Sequence, residues 1–390
     1  MSEMTKTSVK VIFALTLVHF IGDFYFSFVT PLLPVFVEKF SLTLTQVGLM
    51  TGLSRLLAFI VQPSVGYLAD HYHTRFFVLG GPLIAVVSIP LVGVAPGFLI
   101  LVFFICLGSI GSSMFHPTSA GMVSTYAGHH FGLSMSIFNM GGTLAFGVGP
   151  IFIAYFVGAY GLGASPFTLI LGLPVMLLLF KIVPQPEGEG LGKLGFLGSI
   201  KEVLGTVWKS IALIWVVMVL RSFVGQSFLT FIPILLSKEG HSLVSIGAMV
   251  SLFTLAGAIS GLLGGHLSDR FGYKPIFYVT HGLATPCLYL MLVLSGNWVY
   301  FTVFMAGFFV LATLPLGVAM AQELAPRGKS MVSSLMMGFA YGLGGAVSPL
   351  IGKLADIYGL ENILFYSAFI PVVTLIFILG FPKFNSPGFD

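Results

Sequence analysis

Long apolar runs separated by short polar turns recur along the whole chain. Each run approaches or exceeds the roughly 20 residues that an α-helix needs to cross a hydrocarbon core of about 30 Å. The runs predict an all-α membrane protein with twelve transmembrane helices, at about 11–37, 45–69, 76–95, 98–122, 131–157, 165–183, 209–236, 243–267, 275–294, 297–321, 330–353 and 361–381.

The composition agrees with a chain whose solvent is mainly lipid. Charged residues make up 8% of the 390 positions and hydrophobic residues 57%, whereas about a quarter of the residues in a soluble domain are charged. The two cysteines, Cys106 and Cys287, lie in apolar runs and indicate neither a disulfide framework nor a metal site. The net charge of +4 requires no nucleic-acid partner. The lipid bilayer is the partner that the composition implies.

The two halves of the chain share a residue register at a constant separation of 199 positions. Frequent reuse of glycine and proline in membrane helices is an alternative explanation, but it does not account for matched charged residues. The matched pairs include Pro34 with Pro233, Lys39 with Lys238, Gly48 with Gly247, Gly66 with Gly265, Asp70 with Asp269 and Pro150 with Pro349. We therefore predict two six-helix bundles, 1–183 and 209–390, in a parallel pseudo-twofold repeat and joined by a polar linker at 184–208.

Lysine and arginine are distributed unevenly between the two sides of the predicted bundles. With the N-terminus inside, the outer side holds only Lys39, Lys238 and Lys353. The remaining basic residues outside the spans fall on the other side, which is the asymmetry typical of cytoplasmic loops. The distribution predicts a multi-pass protein with both termini and the linker in the cytoplasm.

A glycine–aspartate motif closes the second and the eighth predicted helix. The first copy contributes Gly66 and Asp70, followed by Arg75, and the second copy contributes Gly265, Asp269 and Arg270. Glycine allows a neighbouring helix to come close, and the aspartate can bind an arginine or a helix N-terminus. A tight turn with solvated charges is the alternative for a single copy. Two copies at matched positions favour a paired cytoplasmic gate, with Glu323 as a further gate or cap at the end of the tenth helix.

The second copy of this motif, GHLSDRFGYK from Gly265, resembles the loop signature of the major facilitator superfamily. The first copy departs from it, because His71 and His73 replace the expected arginine and glycine. The stretches FHPTS from Phe115 and AQEL from Ala321 resemble the fosmidomycin-resistance branch of that family. The glycine-rich stretch that ends at Pro150 resembles a motif of proton-coupled antiporters. The resemblance implies a major facilitator fold and a monomeric inner-membrane exporter that exchanges its solute for protons.

Three ionisable side chains, Asp23, Arg55 and Arg221, lie deep inside predicted spans. Placing one such charge at bilayer depth costs about 2.5–3.5 kcal/mol even on lenient scales. The chain therefore has to provide each of them with a partner or a water-filled cavity. By the repeat, Arg221 corresponds to the position before Asp23, so the two opposite charges occupy pseudo-equivalent sites on the first and seventh helices.

These charges suggest separate roles in transport. We expect Arg221, with Arg55, to attract an anionic solute, and Asp23 to carry the coupling proton together with His19, which lies one turn earlier on the same helix face. A static ion pair between Asp23 and Arg221 is the alternative. Further candidates for solute or proton binding are His116, Gln226 and Asn139. His116 could equally be a packing residue, and Asn139 could form an inter-helix hydrogen bond.

The sequence favours a secondary active transporter, and the expected function is proton-coupled efflux of a small anionic or polar organic solute or drug by alternating access. Alternatives are an importer or uniporter of an organic anion or sugar, a lipid or lysolipid flippase, and a sensor that does not transport. The chain lacks a phosphate-binding GxxxxGK[ST] loop, a nucleophile–base arrangement and metal-ligand spacing. We therefore expect no enzymatic activity, no cofactor and no metal, with the proton gradient as the energy source.

Overall fold

The computed structural model describes residues 6–71, 75–127, 131–186, 204–325, 332 and 335–382. Within these ranges the regular structure is helical, without β-strands, and twelve helical segments are long and apolar enough to cross a membrane. The predicted number of spans is confirmed. The segments are α1 Ser8–Phe40, α2 Leu44–Val65, α3 Phe76–Val94, α4 Phe98–Ala127, α5 Leu133–Tyr160, α6 Leu162–Ile182, α7 Gly205–Lys238, α8 Leu243–Phe271, α9 Tyr273–Val293, α10 Trp298–Leu324, α11 Leu335–Tyr358 and α12 Leu360–Leu379.

The predicted boundaries are wrong by several residues at some helix ends. The largest differences are of five residues, at α4, which was expected to end at 122 and continues to Ala127, and at α11, which was expected to end at 353 and continues to Tyr358. Hydropathy placed the end at Lys353, but the backbone stays helical through the polar turn that carries Asp356. A charge near a helix end can face water without ending the hydrogen-bond ladder, so apolar runs underestimate helix length.

Several spans are interrupted inside the membrane region, and two of these breaks, in α1 and α10, lie near buried charged residues. In α1 the helical backbone breaks at Ser27 and Phe28. In α10 it breaks between Leu311 and Leu314. Pro315 follows the second break, and because proline has no N–H group, the carbonyl of Leu311 loses its partner in the helix. Such freed carbonyls inside a membrane need another donor.

Contacts divide the chain into two compact units. Unit 1 comprises Met1–Ser41, Ile60–Lys193 and His241–Ser251. Unit 2 comprises Leu42–Phe59, Leu194–Gly240 and Leu252–Asp390. A buried apolar cluster of unit 2 includes Met218, Phe277 and Met320. The predicted linker lies mostly outside the described residues, so the division into bundles at 184–208 stays a prediction.

The first turns of α2 and α8 pack with helices of the opposite sequence half. In unit 2, a side chain at Gly48 would collide with the carbonyl of Ser348 on α11. In unit 1, a Cβ at the matched Gly247 would lie 2.7 Å from the carbonyl of Pro150 on α5. Both glycines therefore serve close helix approach at equivalent positions of the repeat.

Asp356 of α11 caps the N-terminus of α2 within unit 2. Its Oδ1 accepts a hydrogen bond of 2.9 Å from the backbone N–H of Leu44. Its Oδ2 accepts from the backbone N–H of Thr45 at 2.9 Å and from the Thr45 hydroxyl at 2.6 Å. A carboxylate that satisfies free N–H groups at a helix start stabilises that helix, and it also joins α2 to α11.

We predict that Asp356→Ala lowers the free energy of unfolding by about 1–2 kcal/mol, because α2 loses its capping acceptor. Thermal unfolding of the detergent-solubilised protein measures the change. Asp356→Asn is the matched control, since its amide oxygen can still accept one of the three hydrogen bonds and the loss should be smaller. Equal unfolding temperatures for the wild type and Asp356→Ala would contradict the capping role.

Candidate functional site

The carboxyl group of Asp23 is the centre of a polar cluster in unit 1. Asp23 is 3% exposed and lies one turn before the break in α1. Ser112 of α4 donates a hydrogen bond of 3.0 Å to Asp23 Oδ1. His116, one turn further along α4, places its Nε2 3.8 Å from the same oxygen. Helix α4 thus supplies two polar groups to one buried carboxyl group.

His19 completes this cluster from the same helix as Asp23. The predicted one-turn spacing brings His19 Nε2 to 3.2 Å from Asp23 Oδ2. The other ring nitrogen, Nδ1, lies 2.9 Å from the backbone carbonyl oxygen of Phe138 on α5. A carbonyl oxygen can only accept, so Nδ1 carries the hydrogen in this contact.

This arrangement requires one more proton than a neutral imidazole and a carboxylate contain. With Nδ1–H directed at Phe138, a neutral His19 would turn its Nε2 lone pair toward a carboxylate oxygen of Asp23, and two acceptors would face each other at 3.2 Å. A proton shared by the two groups, as imidazolium with carboxylate or imidazole with carboxylic acid, turns the contact into a hydrogen bond. The contact between His19 and Asp23 is therefore chemically suited to a proton shared by the two groups.

The three side chains differ in exposure. The side chain of Asp23 is 4% exposed, that of His19 is 12% exposed and that of His116 is 33% exposed. His116 also has a buried Nδ1 with no hydrogen-bond partner among the described residues. One ligand atom from each of the three lies within 4.8 Å of the others, so a divalent cation is a competing occupant of the cluster.

Glycines on α5 make room for this part of α1. A Cβ at Gly142 would collide with His19 Nε2, the atom that faces Asp23. A Cβ at Gly141 would lie 2.5 Å from the carbonyl oxygen of Thr16 on α1. The glycine stretch that resembles the antiporter motif thus has a definite steric role here, since a larger residue at Gly142 would displace the imidazole.

Arg221 of α7 lies in unit 2 and is 6% exposed. Its Nε donates to the carbonyl of Val310 at 3.1 Å, and its Nη2 donates to the carbonyl of Leu311 at 3.2 Å. Both carbonyls belong to the break in α10, so Arg221 supplies the donors that the interrupted helix lacks. These bonds use two of the five N–H groups of a guanidinium. The remaining N–H groups and the positive charge can serve an anionic ligand.

Tyr341 of α11 links Arg221 to Arg55 within unit 2. The guanidinium carbon of Arg55 lies 4.9 Å from the centre of the Tyr341 ring, a cation–π contact. Tyr341 is also within electrostatic range of Arg221. A side chain at Gly345 would collide with the aliphatic part of Arg55, so glycine allows this arginine to lie against α11. Arg55 therefore lies against an aromatic ring that is within electrostatic range of Arg221.

For the other two predicted binding residues, Gln226 and Asn139, the structure assigns no role in either cluster. Gln226 on α7 is 4% exposed, five residues after Arg221. Asn139 on α5 has an exposed side chain, although it directly follows Phe138, whose carbonyl contacts His19. Both remain predictions.

The predicted gate residues are only partly described. The surroundings of Gly66 and the side chain of Asp70 lie outside what the structure describes. Arg75 donates a 3.2 Å hydrogen bond from Nη1 to the carbonyl of Phe180 at the end of α6. Asp269 and Arg270 are exposed.

The rest of the second gate motif lies at the ends of α8 and α10. A Cβ at Gly265 would meet no described atom within 4 Å, so this glycine makes no close helix contact in the structure. Glu323 accepts a hydrogen bond from the hydroxyl of Tyr273 at the start of α9. The gating roles of all these residues stay predictions.

A family model described as Major Facilitator Superfamily matches residues 15–349, which is most of the chain. The chain belongs to this superfamily. Both the fold expected from the resemblance and the assignment as a transporter rather than an enzyme are confirmed. As a major facilitator protein with twelve spans, it is a multi-pass membrane protein that handles a small-molecule solute.

Curated relatives of this major facilitator protein include two resistance proteins. It is 26% identical to the fosmidomycin resistance protein of Escherichia coli (strain K12) over 379 residues, covering 96% of this chain and 93% of that protein. It is 23% identical to the quinolone resistance protein NorA of Staphylococcus aureus over 354 residues, covering 85% and 86% of the two chains.

Solved structures share the fold. A bacterial homologue of the human lysosomal transporter Spinster superposes with a TM-score of 0.81 at 17% identity, covering 97% of both chains. The nucleoside transporter NupG superposes with a TM-score of 0.77 at 13% identity, covering 97% of this chain and all of that one. At such identities the likeness shows the fold alone.

Sequence reasoning missed two residues of these clusters, Ser112 and Tyr341. Ser112 precedes His116 by four positions and so lies on the same face of α4, which was an available signal. Tyr341 carried no comparable signal, because an isolated tyrosine in an apolar helix is common, and only the structure places it beside Arg55.

Proposed function

We propose that this protein exports a small organic anion across the inner membrane in exchange for protons. The observation that carries the proposal is the contact of 3.2 Å between His19 Nε2 and Asp23 Oδ2, with His19 Nδ1 already committed to the carbonyl of Phe138. That geometry favours one bound proton. A buried group that gains and loses a proton during the transport cycle can couple the proton gradient to solute movement.

In this proposal the cluster in unit 1 carries the proton and the arginines of unit 2 attract the anion. Asp23 and His19 share the proton, Ser112 orients the carboxyl group, and His116, the most exposed of the three titratable groups, passes the proton to water. Arg221, with Arg55 across the Tyr341 ring, provides the positive charge that an anionic solute needs. Glu323 and the two glycine–aspartate motifs would act as gates.

Direction and location follow from the relatives and the charge distribution. The Escherichia coli and Staphylococcus aureus relatives are named resistance proteins, which supports efflux of the solute. The excess of lysine and arginine on one side supports cytoplasmic termini. We propose that the protein works as a monomer, as its family typically does.

Proton movement in proteoliposomes tests the proposal. Purified protein is reconstituted with a pH-sensitive dye in the lumen, the membrane potential is clamped with valinomycin and potassium, and ethylphosphonate, 2-hydroxyethylphosphonate, succinate or malate is added outside. Anion–proton exchange raises the luminal pH. A fall in pH would indicate symport, and anion uptake without a pH change would indicate uniport, and either result would overturn the proposal.

A chelator separates proton coupling from metal binding at the same cluster. The assay is repeated with EDTA and with added Zn²⁺, since the spacing of His19, Asp23 and His116 also suits a cation. Proton-coupled exchange should persist in EDTA. Exchange that requires added metal would contradict the proposed proton site.

We predict that Arg221→Lys raises the anion concentration needed for half-maximal exchange by at least about tenfold. Lysine keeps the charge, but a single ammonium group cannot bond two carbonyls of α10 and a solute with the geometry of a guanidinium. A lost charge-assisted hydrogen bond is worth about 1.5–3 kcal/mol, which corresponds to more than tenfold. The concentration dependence of luminal pH change measures the effect.

The matched control is Lys209→Arg on the same helix, where the charge lies near the helix start and outside both clusters. It should exchange anions as the wild type does. An unchanged concentration dependence in Arg221→Lys would assign Arg221 to holding the break in α10 and not to the solute.

A further inference from the structure

Unit 2 contains a group of buried polar side chains on α9 that the proposed function does not use. His281 is 3% exposed and Thr285 is 6% exposed. The two residues are one turn apart, so they lie on the same helix face. Neither Nε2 of His281 nor Oγ1 of Thr285 has a hydrogen-bond partner among the described residues.

This group lies close to the guanidinium proposed to bind the anion. His281 is within electrostatic range of Arg221. Arg221 in turn bonds the carbonyls of Val310 and Leu311, and Thr313, two residues further, is fully buried with an unpartnered hydroxyl of its own. Buried polar groups in proteins are nearly always paired. An unpartnered His281 Nε2 within electrostatic range of Arg221, and an unpartnered Thr313 hydroxyl in the break of α10 that Arg221 binds, therefore indicate a place for a polar ligand.

The chemistry of that ligand follows from the ring of His281. Its Nδ1 lies 3.0 Å from the carbonyl oxygen of Phe277 and 3.5 Å from the hydroxyl oxygen of Thr280. The carbonyl can only accept, so Nδ1 carries the hydrogen. In the neutral ring Nε2 is then an acceptor, and its complement is a hydrogen-bond donor on the ligand.

We propose that His281 Nε2 accepts a hydrogen bond from a hydroxyl group of the solute whose anionic group binds Arg221. The transported class is therefore hydroxylated organic anions, with His281 as a specificity-determining residue and the hydroxyls of Thr285 and Thr313 as secondary contacts. This inference rests on the proposed function, because it takes the anion site at Arg221 as given.

Matched pairs of anions test the inference in the proteoliposome assay. The pairs are 2-hydroxyethylphosphonate with ethylphosphonate, and malate with succinate, and each pair differs by one hydroxyl group. In the wild type, the hydroxylated member of each pair should give half-maximal proton movement at a concentration about tenfold lower than the member without the hydroxyl group. The reason is that a site built around a hydrogen bond rejects the analogue that lacks the donor. In His281→Phe the two members of each pair should have half-maximal concentrations in a ratio of about one, because the unpaired acceptor is gone. The anion without the hydroxyl group should still be exchanged.

His281→Gln is the matched variant, because its amide oxygen is again an acceptor, and it should retain part of the preference. Thermal unfolding verifies that each variant is folded. If His281→Phe does not fold, the ratio of the half-maximal concentrations of the two pair members in the wild type tests the inference by itself. No hydroxyl preference in the wild type would mean that an ordered water pairs with His281, which overturns the inference. An undiminished preference in folded His281→Phe overturns it as well.

The two proposals fail in different ways. If the proposed exchange is wrong, no anion of either pair raises the luminal pH of wild-type proteoliposomes. If only the hydroxyl recognition is wrong, both members of each pair change the luminal pH with the same concentration dependence.

Discussion

Asp23→Asn is expected to abolish anion-driven proton movement while the protein remains folded and still binds its solute. The amide that replaces the carboxyl group is nearly the same size. It can donate a hydrogen bond to the neutral His19 Nε2, so the contact of 3.2 Å no longer needs a shared proton. The cluster should keep its geometry and lose the shared proton.

Two measurements on the same proteoliposomes separate coupling from transport. The first is luminal pH after addition of the anion, which should stay at the level of protein-free liposomes. The second is exchange of labelled anion at equal concentrations on both sides, which needs no net proton transfer and should continue. Retained proton movement in Asp23→Asn would exclude Asp23 as the proton carrier.

Ser27→Ala is a suitable control for this experiment. Ser27 lies on the same helix, is 2% exposed, and donates its hydroxyl hydrogen to the carbonyl of Phe24 in its own helix. It has no described contact with Asp23 through its side chain. Ser27→Ala should therefore lose neither proton movement nor labelled-anion exchange, whereas a general sensitivity of α1 to substitution of its buried polar residues would impair both variants.

The polar cluster around Asp23 shows how much of a site can be predicted from residue spacing along one helix. The spacing of His19 and Asp23 fixes their contact, because residues four apart on a helix are neighbours wherever the helix packs. His116 is on another helix, and its approach to Asp23 depends on the packing of α4 against α1. The energetic cost of a buried carboxyl group predicted that partners exist, without predicting which helix supplies them.

Arg221 shows what the energetic argument left out. A charge at bilayer depth predicted a partner or a polar cavity, and the expected partners were a solute or Asp23. The described partners include the carbonyls of Val310 and Leu311, which are free because α10 is interrupted before Pro315. Proline at that position was visible in the sequence, but the identity of the donor that satisfies the break depends on which helix packs there.

The sequence repeat predicted which positions of the two halves are equivalent, but it did not predict against which helices the ends of α2 and α8 pack. Gly48 and Gly247 match in sequence, and both allow close helix contact. However, each contact is with a helix of the other sequence half, so the compact units exchange the first turns of α2 and α8. The sequence repeat reflects the topology that the two halves share. The compact units depend instead on which helices pack against each other, and the repeat does not predict that packing.

Gly142→Ala is expected to impair proton coupling by displacing His19, although the substitution adds a single methyl group. The added carbon would collide with His19 Nε2 and with the ring carbons beside it. The imidazole must then move away from Asp23, or α5 must move away from α1. Forcing an extra group into a packed interior costs about 1–3 kcal/mol, so the unfolding temperature should fall as well. Proton movement should fall toward the level of Asp23→Asn, while labelled-anion exchange persists.

Gly121→Ala is the matched control for this substitution. Gly121 lies within α4 of the same unit, and a Cβ there would meet no described atom within 4 Å. Alanine favours a helix over glycine by about 1 kcal/mol, so Gly121→Ala should unfold at the same or a higher temperature and keep its proton coupling. Comparison of the two variants isolates the steric effect at His19 from the general effect of glycine replacement. If both variants kept full proton coupling, the distance between His19 and Asp23 would not control it, because the carbon added at Gly142 forces Nε2 away from its present position.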